Sequence, residues 1–282
     1  VVLAAVILNA AWPLGGAQVS AMFTGRVWDV SRGSFGALPA IVGTLVTSAL
    51  ALLLAAPVAL GAAVFISEVA PPFLRQRVAF LLDLLAAIPS VVYGLWGIFV
   101  LLPLLRQRVM PLLAEWFGAS SMFRGPAYGP SVLAASIILA IMIVPYIASI
   151  AREVLAAVPQ AQRDAALAMG ATPWEMIRDA VLPYARSGLI GAVMLGLGRA
   201  LGETMAVTMV IGSRSAIPTS LFDPANTMAA MLATEFAEAS DDGHRAALMA
   251  VAGLLLLITL AVNMLARWLV WQVRHRPGVG RR

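Results

Sequence analysis

The chain has 282 residues, 61% of them apolar and only 12% charged, with a mean hydropathy of +0.91 and a net charge of +5. A soluble domain is about 45–50% apolar and about 25% charged, so this composition predicts an integral membrane protein. With no cysteine, two distant histidines (His244 and His275) and arginine as the only one of the two strongly basic residue types, it excludes disulfides and thiolate metal sites, argues against a histidine metal cluster, and removes both a lysine-dependent phosphate loop and Schiff-base chemistry.

A helix needs about 20 apolar residues to cross about 30 Å of hydrocarbon. Val1–Leu8 is apolar and is followed by Asn9 and Trp12-Pro13. Twelve helical residues reach only about 18 Å. This stretch is therefore expected to be the outer end of a first helix whose beginning is missing. A signal-peptide core is the alternative, but it would carry a basic leader and a small-x-small cleavage site. Residues 33–67 hold no charge across 35 positions and predict the second helix. Residues 84–105 predict the third, with Asp83 at its boundary, and residues 125–151 the fourth. Ser187 to Gly212 predicts a fifth, interrupted only by Arg199 and Glu203, and residues 246–266 a sixth. The expected fold is all-α: a polytopic bundle of six helices, the first truncated, forming one domain over residues 1–282. Pro57, Pro89, Pro145, Gly94, Gly196 and Gly198 lie within these stretches. Neighbouring helices satisfy the backbone groups that such residues free, and small residues let helices approach closely.

Arginine bias sets the orientation. With the C-terminal tail inside, the inner segments carry eleven arginines against five acids, and the outer segments seven of each. Both termini are thus expected in the cytoplasm. The high isoelectric point follows from that topology, and no basic cluster in a soluble domain suggests a nucleic-acid partner.

The largest inner loop, residues 151–186, has helical character. Residues 152–169 are rich in good helix formers. Pro159 marks a restart, and Gly170 stands where a helix end favours a left-handed residue. Thr172-Pro173-Trp174-Glu175 then makes a capping box with proline at the first helical position. A second short helix is expected to run to about Leu182, with Pro183 near its end. Two short helices meeting at a glycine form an angular bracket. Ala165, Ala166, Leu167, Met169 and Trp174 are small or apolar for an exposed loop. Either they receive a cytoplasmic partner or they pack on the chain's own helix ends.

In the fifth helix, Arg199 and Glu203 are four apart and are expected on one face. A charge at bilayer depth is costly and is retained mainly where it faces a pathway or another charge. Two readings stand: a neutralised structural pair, or an anion pathway in which the arginine fork meets an oxyanion. In the second, Thr204 and Thr208 add hydroxyls, although threonines in helices often bond their own backbone. Asp83 is a weaker candidate. The outer segment 213–244 carries Asp223, Glu235, Glu238, Asp241 and Asp242. Such a segment repels anions, and it either pairs with a basic binding protein or is simply solvated.

Asp164-Ala165-Ala166, three residues, Gly170, nine residues, then Ala180-Val181-Leu182-Pro183 resembles the EAA loop of ABC-importer permeases. Asp164 replaces the family's glutamate and Ala180 its isoleucine. The run Gly198-Arg199-Ala200-Leu201-Gly202-Glu203-Thr204-Met205 is similar to the permease subunits of bacterial phosphate ABC importers, the PstC type. So are Ile88-Pro89-Ser90-Val91-Val92-Tyr93-Gly94 and Asn226-Thr227-Met228-Ala229-Ala230. The resemblance implies a type I importer permease without a catalytic site or metal of its own. It implies that ATP and magnesium are bound by a cytoplasmic ATPase dimer, and that Asp164, Ala165, Ala166, Leu167 and Gly170 couple to that dimer. It implies a second permease subunit, a periplasmic phosphate-binding protein and an inner-membrane location. It also implies a phosphate pathway at Arg199 and Glu203. A permease for molybdate or sulfate, or a stand-alone channel or secondary carrier, is the alternative.

Overall fold

A proline lacks an N–H and crowds the carbonyl four residues before it, and this shapes the long helices. In the computed structural model, which describes residues 22–118 and 120–275, each π turn ends two residues before a proline. These turns are Phe65–Val69 before Pro71, Gly97–Leu101 before Pro103, Leu105–Val109 before Pro111 and Met176–Val181 before Pro183. The residue just before each proline donates five residues back: Ala70 to Phe65, Leu102 to Gly97, Met110 to Leu105 and Leu182 to Ile177. The wider turn makes room under the ring. The helix passes on beyond Pro103, Pro111 and Pro183, while Pro71-Pro72 ends the helix before it.

In chain order, the antiparallel pair β1 (Trp28–Asp29) and β2 (Ser34–Phe35) sets Trp28 opposite Phe35. The helices are α1 (Leu38–Val69), α2 (Pro72–Ala86), α3 (Ser90–Phe117), α4 (Val132–Ala156), α5 (Gln160–Ala168), α6 (Pro173–Leu201), α7 (Met205–Ile211), α8 (Met228–Glu235) and α9 (Asp242–His275). Among the described residues, α1, α3, α4, α6 and the Asp242–Leu265 part of α9 are long and apolar enough to cross a membrane. They match the five full-length apolar stretches. The expected first helix at Val1–Leu8 lies outside the described residues.

Two boundaries differ from the sequence reading. Residues 84–105 do not form one helix. Pro89 disfavours helical backbone at Ile88, so α2 ends at Ala86 and α3 starts at Ser90, running to Phe117 past Arg106 and Arg108. Asp83 is therefore on α2. The second helix of the bracket does not stop near Pro183. The π turn absorbs that proline, and the helix runs unbroken into the span as α6.

The described residues divide into two compact units. The first contains residues 22–51, 89–140 and 200–260. Its core gathers Met22, Ala37, Ala40, Met228, Met231, Leu248, Val251 and Leu254. The Thr44 hydroxyl donates to the Ala40 carbonyl at 2.8 Å and accepts from the Met228 N–H at 2.9 Å, docking the start of α8 on α1. Gly94 lets α3 approach α7, because a Cβ there would collide with the Met209 sulfur. The first N–H groups of α4 have no partner within their own helix. Ser131, Val132 and Leu133 donate instead to the carbonyls of Val210, Asp223 and Leu221 at 3.1, 3.0 and 2.9 Å.

The second unit contains residues 52–88, 141–199 and 261–275. Its buried residues include Ile147, Ala151, Leu155, Val158, Ile177, Val181 and Ala185. Here α6 lies close to α4, with Gly188 against Val154 and Gly196 against Ile147.

Candidate functional site

The bracket is built by two complementary caps. Gly170 has φ +86°, a conformation open to glycine without a Cβ penalty. The Ala171 N–H bonds the Ala166 carbonyl at 3.2 Å and the Gly170 N–H bonds the Leu167 carbonyl at 2.9 Å. This pair of bonds is the Schellman closure of a helix end. Thr172 then opens α6: its hydroxyl accepts from the Glu175 N–H at 3.3 Å, and its own N–H donates to the Glu175 carboxylate at 2.8 Å. Pro173 occupies the first helical position. The expected capping box and left-handed glycine are both present.

The turn leaves Met169 85% exposed, with Leu167 and Trp174 exposed beside it. Ala165 and Asp164 are exposed too, and Gln160 donates to the Asp164 carboxylate at 3.1 Å. Ala166 is buried, so only part of the small-residue run forms the outer face. On its inner side α5 packs against the turn Met176–Val181, where Ile177 and Val181 are buried.

A buried ion pair that the sequence does not disclose anchors α5. Arg163 donates to both carboxylate oxygens of Glu68, at 3.0 and 2.8 Å. It also donates to the carbonyls of Val158 at 2.6 Å and Leu155 at 3.0 Å, at and just past the end of α4. The side chains are only 13% and 4% exposed. The Glu68 carboxylate beside it, against some opposition from burial, holds the Arg163 guanidinium above its ordinary value. The partners are 95 residues apart, and no local pattern links them. The available signals were Glu68 as the first charge after a long charge-free run, and Arg163 next to the EAA-like motif.

The intramembrane charges are arranged differently from the sequence expectation. Helix α6 ends at Leu201, Gly202 to Thr204 are not helical, and α7 starts at Met205. Arg199 and Glu203 therefore do not share the face of one helix. Gly202 and the polar Glu203 and Thr204 open the break. The Glu203 carboxylate accepts from the Ala206 N–H at 3.3 Å, at the start of α7. Arg199 is exposed, and its guanidinium lies 5.3 Å from the Tyr146 ring centroid, within cation–π range. The Thr208 hydroxyl donates to the Thr204 carbonyl at 2.7 Å. Its proton is thus committed, and it remains an acceptor. Asp83 accepts from the Ser149 hydroxyl at 2.9 Å and lies 3.8 Å from Arg152. Among the described residues no cluster of three histidine, aspartate or glutamate side chains is placed to hold a metal.

The family model described as "Binding-protein-dependent transport system inner membrane component" matches residues 55–275. The chain belongs to this family. Its curated relatives include the phosphate transport system permease protein PstC of Pasteurella multocida, 44% identical over 89% of this chain and 79% of that protein. The protein of the same name from Mesorhizobium japonicum is 45% identical over 90% of this chain and 79% of that one. Among solved structures, the chain is similar to one in inward facing conformations of the MetNI methionine ABC transporter, with a TM-score of 0.59 at 19% identity, covering 82% of this chain and 93% of that one. A chain of a bacterial ABC transporter that imports alginate gives 0.54 at 19%, covering 94% and 93%. These likenesses show the fold, that of importer permeases. The chain is thus a multi-pass inner-membrane component of this family, and the bracket lies wholly within the matched residues.

Proposed function

We propose that this chain is a permease subunit of an ATP-driven importer that carries inorganic phosphate across the bacterial inner membrane. The observation that carries this reading is the identity of 44–45% to phosphate permeases across about nine-tenths of the chain. A periplasmic binding protein delivers phosphate to the outer side. A second permease subunit completes the pathway. A cytoplasmic ATPase dimer binds ATP and magnesium and docks on the bracket at Asp164, Ala165, Leu167 and Gly170, with Ala166 supporting it from behind. Both termini lie in the cytoplasm, in keeping with the arginine bias.

The chain breaks no covalent bond. Its residues lower the cost of moving an anion through hydrocarbon. Arg199 offers a planar fork of donors to the phosphate oxygens. Tyr146 holds that guanidinium by its ring face and leaves the fork open to the substrate. Glu203 and Thr208 present acceptors, which suit the hydroxyl of a protonated phosphate, and Thr204 flanks them at the helix break. The ATPase moves the bracket, and the bracket moves the membrane-crossing part of α6 because its second arm is the start of that same continuous helix.

Reconstituted uptake with the partner subunits tests this. Phosphate uptake should be unaffected by a hundredfold excess of sulfate or molybdate. Strong competition by either would reassign the substrate to that oxyanion.

A further inference from the structure

We infer that Arg152 is a second anion-binding residue of the pathway, a guanidinium that receives the oxyanion after Arg199 and hands it on in competition with Asp83. The inference rests on the phosphate-permease reading.

The polar side chains of α4 carry it. In a helix whose other polar side chains are Ser136 and Glu153, Tyr146, Ser149 and Arg152 follow one another at intervals of three residues. They rise about 9 Å in total toward the loop that carries the bracket. The file starts where Arg199 sits over the Tyr146 ring. It ends at Arg152, opposite Asp83 of α2, with Ser149 donating to the same carboxylate at 2.9 Å.

Arg152 is bound loosely, and the contrast with Arg163 shows how loosely. Arg163 spends its donors on two carboxylate oxygens and two carbonyls at 2.6–3.0 Å. A charge-assisted hydrogen bond is about 2.7–2.9 Å long. Arg152 approaches Asp83 no closer than 3.8 Å, and its Nε is buried with no hydrogen-bond partner among the described residues. Its Nη2 faces Asp83 and its Nε is sealed from solvent, so the edge that fits a phosphate or carboxylate makes no hydrogen bond among the described residues and meets an anion only as Asp83 is displaced. The side chain is 28% exposed and Asp83 54%, so the pair is within reach of a ligand.

Asp83 has a role in this arrangement. It neutralises Arg152 between passages, and its charge repels an arriving anion enough to prevent trapping. A pathway needs sites that bind well enough to admit the ion and weakly enough to release it.

The test is a double-mutant cycle in the reconstituted complex, reading phosphate uptake, ATPase activity and subunit assembly. Wild-type complex that takes up no phosphate would overturn the proposed function itself and is scored separately. With wild-type uptake established, Arg152→Gln should lower the maximal uptake rate at least tenfold in an assembled complex that still hydrolyses ATP. Uptake unchanged in that variant would overturn the inference. The double variant Asp83→Asn with Arg152→Gln decides between ligand binding and mere neutralisation, and it leaves no unpaired carboxylate to impair folding. The inference expects its uptake to stay as low as that of Arg152→Gln. Recovery to the wild-type rate would show that Arg152 only balances Asp83.

Discussion

Glu68 is a carboxylate with a side chain 4% exposed, and it is matched by a guanidinium 13% exposed. Removing one member of a buried pair leaves the other charge uncompensated, at a cost of about 3–5 kcal/mol. Glu68→Gln should therefore lower the melting temperature of the purified complex and weaken retention of the ATPase, because α5 loses its anchor. Thermal melts and co-purification check both effects. Asp223 gives a second prediction, one of pH. Burial pushes its carboxyl up, but donations from the Thr219 hydroxyl at 2.8 Å and from the Thr219 and Ser220 N–H groups at 2.9 and 3.0 Å outweigh this and hold it below the ordinary value. A carboxyl depressed in the folded state stabilises it above the unfolded value and loses that contribution as pH falls through the folded one. The segment around Thr219 should loosen below about pH 4. Hydrogen exchange at Thr219 and Ser220 should rise there, and Asp223→Asn should remove that pH dependence. Neither pair was legible in the sequence. Glu68 with Arg163 is a long-range match, and Asp223 read as one of five loop acids of a single kind. Gly170 and Thr172 were legible, because caps depend on neighbours within a few residues.

Helix ends decide how force and charge are placed. Gly170 sits at φ +86° with nothing within 4 Å of a Cβ built there. A β-branched residue would be strained by its backbone and not by crowding. Gly170→Val should reduce ATPase co-purification and uptake more than tenfold, while Gly170→Asn, which tolerates the left-handed region, should keep most of both. Equal behaviour of the two variants would count against a conformational role. The helix break at Gly202–Thr204 was hidden by the apolar flanks of Ser187–Gly212, which read as one span. The passage of Pro183 through α6 was missed for the opposite reason. Proline reads as a stop, and only the π turn before it reveals a helix that continues. That continuity links the bracket directly to a membrane-crossing segment.

At the scale of the whole chain, four charge-free runs and one apolar stretch broken only by Arg199 and Glu203 located the five described membrane-length helices, because hydrocarbon forces apolar side chains outward over a fixed length. Their orientation rests on arginine bias and is directly testable, since the chain has no cysteine. Single cysteines at Met169, on the bracket, and at the exposed Glu238, in the acidic segment, should react with an impermeant maleimide from opposite sides in oriented vesicles. Labelling from the same side would overturn the topology. The proposed importer needs an anion path and a coupled ATPase together. The measurement that tests both most directly is radiolabelled phosphate uptake into proteoliposomes holding both permease subunits and the ATPase, with the binding protein supplied. Uptake should require ATP on the ATPase side. Arg199→Ala should abolish it while assembly and ATP hydrolysis persist. Uptake without ATP, or at the wild-type rate in the Arg199→Ala complex, would contradict the account.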